Sequence, residues 1–105
     1  MSVEDARDIY YQYRMWATFN VGDSAGFGGD PQAALRSIKA RVLLISIKSD
    51  LQFNSDDITL LKSSIPNVDH VEIDSIYGHL ACCGFDPEAG KVLDREIGRF
   101  LARLK

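Results

Sequence analysis

The sequence lacks the features that mark membrane, secreted and nucleic-acid-binding proteins. In its 105 residues no apolar run approaches the roughly 20 residues that a bilayer-spanning helix needs. The first stretch, MSVEDARDIYYQYR, has no apolar segment of the kind that signal peptides carry. The 12 basic residues are outnumbered by 15 acidic ones, so neither nucleic acid nor an anionic membrane surface is expected as a partner. A cytoplasmic location is the default expectation.

Cysteine is also scarce, since Cys82 and Cys83 are the only two in the chain. Neighbouring cysteines join only in a strained ring, so no disulfide framework is expected. His79 lies three residues before Cys82, but this spacing matches no standard zinc pattern and no fourth ligand is evident. We therefore predict no metal site and interpret the pair as two packed thiols.

The chain does contain a short aliphatic stretch, Arg41–Asp50 (RVLLISIKSD), around which the rest can be organised. Its β-branched run predicts a strand buried on both faces, as in a parallel sheet covered by helices. The run stops at Lys48, Ser49 and Asp50, which places a carboxylate at the carboxyl end of the strand. In open α/β sheets, ligands and catalytic groups collect at that edge.

A second strand is predicted from Val68 to Asp74, after a helix that Ser55 would cap and that Pro66 would end. Strand, helix and strand with short links form a βαβ unit, in which the two strands are parallel. The hydrophobic content of 46% and the charged content of 26% are ordinary for a globular chain. The fold class is therefore α/β, as one small domain or a piece of a larger one.

Further helices flank this unit. An aromatic-rich helix is predicted from Val3 to about Phe19, and it needs a surface to cover. The glycine-rich Gly22–Asp30 is interpreted as a flexible connection, followed by a short helix from Pro31 to about Ser37. Asp86 and Pro87 begin a last helix that runs to the end of the chain. The predicted buried face of that last helix consists of Ala89, Val92, Leu93, Ile97, Phe100, Leu101 and Leu104.

Asp50 and His79 are the candidate catalytic residues, because each follows one of the two predicted strands. A histidine oriented by a buried carboxylate forms two-thirds of an acyl-transfer triad. Gly78 permits a tight turn with positive φ that would direct the imidazole away from the sheet. In serine hydrolases of this topology the chain order is Ser, Asp, His, and Asp50 before His79 agrees with it.

The nucleophile is the missing member of this triad. We find no G-x-S-x-G nucleophile elbow, because no serine follows a strand and precedes a helix in the right way. Ser46 lies inside the predicted strand, and Ser49 and Ser55 lie too close to Asp50 to form a separate elbow. Ser24, in the glycine-rich loop, comes nearest, but no strand precedes it. Cys82 or Cys83 is an alternative nucleophile, since a neighbouring His can activate a thiol. At three or four residues from His79, both are expected to point elsewhere.

Two segments resemble the C-terminal end of the homoserine O-acetyltransferase family of α/β-hydrolase-fold proteins. They are KARVLLISIKSDLQF and IPNVDHVEIDSIYGHLACCGFDPEAGKVLDREIGRFL. Upstream, RMWATFNVGDSAGFGGDPQAALRSIKA is more weakly similar to the helical lid of that family as it returns to the core. The chain departs from the family at Asn54 and Ser55, where prolines are common, and at Leu80, where many members have an acidic residue.

The resemblance implies the C-terminal portion of an α/β-hydrolase fold, with residues 1–30 as a lid-derived helix and connection and residues 31–105 as core. Asp50 would be the triad acid and His79 the general base. Acetyl-CoA would be the acyl donor, homoserine or a similar amino acid the acceptor, and no cofactor is implied. The nucleophile would lie in an absent N-terminal portion, so we predict that the chain alone is inactive.

Two alternatives remain open. The chain would serve an α/β-hydrolase-type esterase if water replaced the amino-acid acceptor. It would instead be a non-catalytic module if its exposed strand edges and aromatic helix served only to bind a partner or a second copy of the chain.

Overall fold

The computed structural model of the chain describes residues 5–104, apart from the side chain of Ser55. These residues divide into two compact units, with the boundary between Ala34 and Leu35. No helix within the described part is long and apolar enough to cross a membrane.

The first unit begins with helix α1, Ala6–Thr18, whose N-cap Asp5 accepts a hydrogen bond from the backbone N–H of Arg7. The predicted helix is confirmed over these residues, while Val3 and Glu4 lie outside the described range. No residue of α1 is buried. Its tyrosines, its tryptophan and Met15 are more than half exposed, so this unit presents an uncovered aromatic surface.

The glycine-rich segment after α1 forms hydrogen-bonded turns. A short 3₁₀ turn spans Val21–Asp23. The side chain of Asn20 accepts from the N–H of Gly22 at 2.9 Å and donates to the carbonyl of Gly29 at 3.0 Å. Helix α2, Pro31–Arg36, follows and crosses the boundary between the units. The segment interpreted as a flexible connection therefore contains a defined loop.

The second unit is the predicted βαβ arrangement. Strands β1, Val42–Ile47, and β2, Val68–Ile73, pair in parallel, with Val42 opposite Val68 and Ile47 opposite Ile73. Helix α3, Ser55–Ser64, connects them, and helix α4, Pro87–Ala102, comes last. The α/β class is thus confirmed at the level of two parallel strands and their helices.

The cap of α3 lies one residue earlier than predicted. Asn54, in extended conformation, accepts from the backbone N–H groups of Asp56 at 2.9 Å and Asp57 at 3.2 Å. Ser55 is therefore the first helical residue rather than the cap. Both residue types cap helices well, so composition alone does not distinguish these two neighbours.

The core of this unit is small and lies between the sheet and α4. Its buried residues are Ile47, Ile73, Ala81 and Ala89. The prediction that β1 is buried on both faces is wrong, because its first four residues are only half-buried. With only two strands in the described chain, too few elements are present to cover both faces.

Helix α4 matches its prediction in position and only partly in burial. Asp86 caps it through the backbone N–H groups of Glu88 and Ala89. Ala89 and Phe100 are buried, but Ile97 and Leu101 on the same predicted face are exposed. At the far end of the helix Phe100 is buried and Arg103 donates to Asp69 of β2, so α4 packs along the sheet with a narrower apolar face than predicted.

The outer edge of β1 is open in the described chain. The backbone N–H of Val42 bonds to Asn67 and that of Lys48 to Ile73, so even-numbered residues of β1 face β2. In a parallel pair the N–H and C=O of one residue point to the same side. Leu43 and Ile45 therefore direct their backbone groups away from β2, toward a free edge.

Candidate active site

The two predicted catalytic residues are in contact at the carboxyl edge of the sheet. Asp50 follows β1 and His79 follows β2, and His79 Nδ1 lies 3.0 Å from Asp50 Oδ2. The parallel register brings the two strand ends side by side. Residues that are 29 positions apart in sequence thus form one hydrogen-bonded pair.

Both oxygens of the Asp50 carboxylate have partners. Oδ1 accepts from the backbone N–H of Gln52 at 2.8 Å and of Phe53 at 3.1 Å, which leaves Oδ2 for His79. The side chain is only 6% exposed. Burial raises the pKa of this carboxyl, but the hydrogen bonds from His79, Phe53 and Gln52 outweigh it and hold the pKa below its ordinary value. Asp50 is therefore an ionised, fixed acceptor.

His79 is held at one nitrogen and open at the other. An ionised Asp50 accepts the Nδ1–H, which leaves a lone pair on Nε2 in the neutral ring. Nε2 makes no hydrogen bond to any residue between 5 and 104, and the side chain is 43% exposed. The ring of Phe53 lies 5.3 Å from the imidazole, centroid to centroid, with 52° between the two planes. Nε2 can therefore accept a proton from an acidic group that approaches it.

Gly78 adopts the positive φ that its sequence position predicted. Its φ is 53°, and a Cβ at this residue would come within 3.1 Å of the carbonyl oxygen of Ser49. The chain then enters a 3₁₀ turn, Gly78–Cys83, that carries His79. The absence of a side chain thus lets this loop approach the end of β1.

Replacing Gly78 by Ala is expected to lower the free energy of unfolding by about 1–2 kcal/mol, since a Cβ is disfavoured at positive φ. Gly98→Ala in α4 is the matched control: nothing lies within 4 Å of its added methyl group. There we expect a gain of about 0.5–1 kcal/mol from helix propensity. Urea unfolding of both variants measures this. If Gly78→Ala and Gly98→Ala changed the free energy of unfolding by the same amount in the same direction, the strained-turn interpretation would be contradicted.

The site opens onto a largely apolar cavity of about 340 Å³ along the outer edge of β1. Leu44, Ile45 and Ile47 contribute from the strand, and Asp50, His79 and Cys82 lie at one end. The cavity therefore connects the Asp50–His79 pair to the free strand edge.

The predictions for the two cysteines are wrong in part. Cys82 and Cys83 are both exposed rather than packed. Cys82 also shares the cavity with His79, because residues three apart are eclipsed in a 3₁₀ turn. Within the described residues, no three His, Cys, Asp or Glu side chains are grouped so that they could hold a metal ion.

The segment Gly22–Gly26 (GDSAG) has the spacing of G-x-S-x-G, which makes Ser24 a literal match to the nucleophile motif. Its structure is nevertheless not an elbow. The segment follows α1 rather than a strand, and Ser24 has φ −62° and ψ 149°, an ordinary extended conformation. A nucleophile elbow is a strained turn between a strand and a helix, so Ser24 fulfils the spacing without the geometry.

The second histidine of the chain is not part of this site. His70 Nε2 lies 2.8 Å from the hydroxyl of Ser46 across the sheet. Burial and the nearby charge of Lys62 lower the pKa of His70, so its ring is neutral near pH 7. The Ser46–His70 contact satisfies two polar groups beneath α3, and no carboxylate among residues 5–104 makes a hydrogen bond to it.

Sequence reasoning predicted Asp86 as a helix start but missed the hydrogen bonds by which Ser49, Ser75 and Asp86 organise the histidine loop. They link the end of β1, the end of β2 and the start of α4 through side-chain hydrogen bonds. The only available signal was a serine next to each strand end. Such serines are common in loops, so the pattern alone could not have identified the links.

No protein-family model matches the chain, and no solved structure matches it significantly. The homoserine O-acetyltransferase of Cyclobacterium marinum is 41% identical over 54 residues, or 51% of this chain and 15% of that protein. The ethyl acetate hydrolase of Pseudomonas veronii is 35% identical over 75 residues, or 71% of this chain and 22% of that protein. The homoserine O-acetyltransferase of Deinococcus radiodurans is 33% identical over 69 residues, or 66% and 20%.

These matches confirm the resemblance to homoserine O-acetyltransferases, and they add a similarity to an esterase, the ethyl acetate hydrolase. The chain is therefore related to acyltransferases and esterases over part of its length. It spans at most 22% of the length of these curated relatives.

Proposed function

We propose that this chain supplies the acid and the base of a Ser-His-Asp acyltransferase, and that the serine and the oxyanion hole lie on a segment outside these 105 residues. The observation that carries the proposal is the Asp50–His79 hydrogen bond, with a buried carboxylate and an unpaired Nε2. The similarity to two homoserine O-acetyltransferases supports acetyl transfer from acetyl-CoA to homoserine.

The proposed reaction proceeds in two proton-balanced half-reactions. In the first, Nε2 of His79 takes the serine proton as the serine oxygen attacks the acetyl carbon of acetyl-CoA; the C–S bond breaks, and the thiolate leaves with that proton. In the second, Nε2 takes the proton of the homoserine hydroxyl, which attacks the acyl-serine, and the serine oxygen recovers the proton as it leaves. Asp50 stabilises the imidazolium in both.

Ester hydrolysis is the second candidate function. It is favoured by the similarity to an ethyl acetate hydrolase over 71% of this chain. The same acyl-serine and the same Asp50–His79 pair would serve, with water as the acceptor. The choice depends on how water is excluded around the acyl-enzyme, to which walls outside these residues would contribute.

The partner of the chain follows from its unpaired edge. We propose that a strand of the nucleophile-bearing segment adds to β1, where Leu43 and Ile45 direct their backbone groups outward. The adjacent cavity is mainly apolar and ends at His79, so an added strand would cover it and bring a nucleophile to the base. Strand addition at an exposed edge is a common form of association. A second copy of this chain is the alternative occupant.

Reconstitution tests this function. The Cyclobacterium marinum enzyme lacking the segment matched here is co-purified with this chain, a complex we call the reconstituted enzyme. We expect it to transfer acetyl groups from acetyl-CoA to homoserine, or to hydrolyse ethyl acetate, while either part alone is inactive. His79→Ala should abolish the activity, and Ser24→Ala, in the loop that mimics the motif, should leave it unchanged.

Two results would contradict the proposal. A complex that forms but shows no His79-dependent turnover would exclude a catalytic role for the pair. Turnover by this chain alone would mean that it holds its own nucleophile, and Ser24→Ala and Cys82→Ser would then identify which residue acts. Association of the chain only with itself would favour the non-catalytic module.

A further inference from the structure

The residue before Asp50 contacts the residue before His79. The hydroxyl of Ser49 accepts a hydrogen bond from the backbone N–H of Gly78 at 3.1 Å. The same hydroxyl donates to the backbone carbonyl of Ser75. The Asp50–His79 contact is therefore accompanied, one residue earlier in each strand end, by a link made through a serine side chain.

A second serine extends the link to α4. The hydroxyl of Ser75 accepts from the N–H of Tyr77 at 3.2 Å and donates to Asp86 Oδ2 at 2.6 Å. The other oxygen of Asp86 caps α4 through the N–H groups of Glu88 and Ala89. The hydrogen bonds from Ser75 and Ala89 hold the pKa of Asp86 below its ordinary value, so it remains an ionised acceptor.

The loop between β2 and His79 has little else to hold it. Ile76 is 91% exposed, and Tyr77 and Leu80 are each about half exposed. Only Ser75 before the histidine and Ala81 after it are buried. Because apolar packing is nearly absent from the exposed residues, polar contacts must fix the direction in which the imidazole points. A base displaced by about 1 Å can lose 100-fold in rate.

We propose that Ser49 and Ser75 are positioning residues that hold His79 in its hydrogen bond to Asp50. The inference rests on the proposed function in that His79 is the base whose placement matters. Ser49 fixes the backbone at Gly78, and Ser75 connects that loop to the cap of α4. Neither serine touches the reacting atoms.

The test measures the neutral imidazole of His79 in the 105-residue chain by ¹⁵N NMR. In the unsubstituted chain we expect one tautomer, with the proton on Nδ1. Ser49→Ala and Ser75→Ala should each mix the two tautomers. Ser49→Ala removes the acceptor of the Gly78 N–H and should also speed hydrogen exchange of that amide about fivefold to tenfold, the effect of losing one hydrogen bond. Ser75→Ala should do the same at the Tyr77 amide.

Two further variants isolate the role of the hydroxyl group. Ser63→Ala is the matched control, because that hydroxyl donates locally to the carbonyl of Leu60 on the exposed side of α3. It should change neither signal. Ser49→Thr keeps a hydroxyl and should restore the single tautomer.

A folded Ser49→Ala chain with the unchanged tautomer and the Gly78 exchange rate of Ser63→Ala would overturn the proposal. If Ser49→Ala does not fold, Ser75→Ala tests the second link, from Ser75 to Tyr77 and Asp86, and an unchanged tautomer there overturns the proposal equally. Failure of the proposed function gives a different result. The tautomer then responds to the Ser49 and Ser75 substitutions, but the reconstituted enzyme shows no His79-dependent turnover.

Discussion

Asp50→Asn is expected to lower kcat of the reconstituted enzyme by about 1,000- to 10,000-fold, with KM nearly unchanged. The amide oxygen of Asn can keep the two hydrogen bonds from the N–H groups of Gln52 and Phe53. Its NH₂ group then faces His79 and donates to Nδ1. The imidazole must carry its proton on Nε2, where it can no longer accept one from the nucleophile.

Steady-state rates of acetyl transfer, together with the ¹⁵N shifts of His79, measure this effect. Asp74→Asn is the matched control, because it makes the same chemical change at the end of β2 on a side chain that is 85% exposed. It should retain full activity. Loss of activity without a change of tautomer would contradict the orienting role of Asp50, as would equal losses in the two variants.

The contact between Asp50 and His79 could be predicted from the sequence because two simple patterns coincide there. An aliphatic strand that ends at Asp50 and a second strand that ends before Gly78 and His79 must lie side by side if the strands are parallel. The caps at Asp30 and Asp86 were equally predictable, since each precedes a proline at the first helical position. These features depend on neighbouring residues and on one topological rule.

Burial and side-chain links were less predictable because they depend on residues distant in sequence. Whether β1 is covered on both faces depends on which elements pack on it, and the exposure of Cys82 depends on the path of the 3₁₀ turn. The Ser49–Gly78 hydrogen bond joins residues that are 29 positions apart. No local pattern distinguishes that serine from any other loop serine.

The second large expected effect is a loss of binding at the free edge of β1. Leu43→Pro is expected to weaken binding of the chain to the truncated Cyclobacterium marinum enzyme about 100-fold. It removes an N–H that points away from β2, and proline is tolerated in sheets at such edge positions. The isolated chain should therefore keep its fold. In the complex, the lost ladder donor would leave a buried carbonyl of the added strand unpaired, at a cost of about 1–3 kcal/mol, whose upper end corresponds to that change in affinity.

Leu43→Ala is the matched control, because it shortens the same half-buried side chain while retaining the backbone N–H. Titration of each labelled variant with the truncated enzyme should give an affinity for Leu43→Ala within a few-fold of the unsubstituted chain. Circular dichroism checks the fold of the isolated variants. Equal weakening by Pro and Ala would place the partner away from this edge. If the isolated Leu43→Pro chain unfolds, the N–H of Leu43 belongs to the β1–β2 ladder. The isolated chain needs this donor only if it faces β2, since β1 has no other neighbouring strand among the described residues.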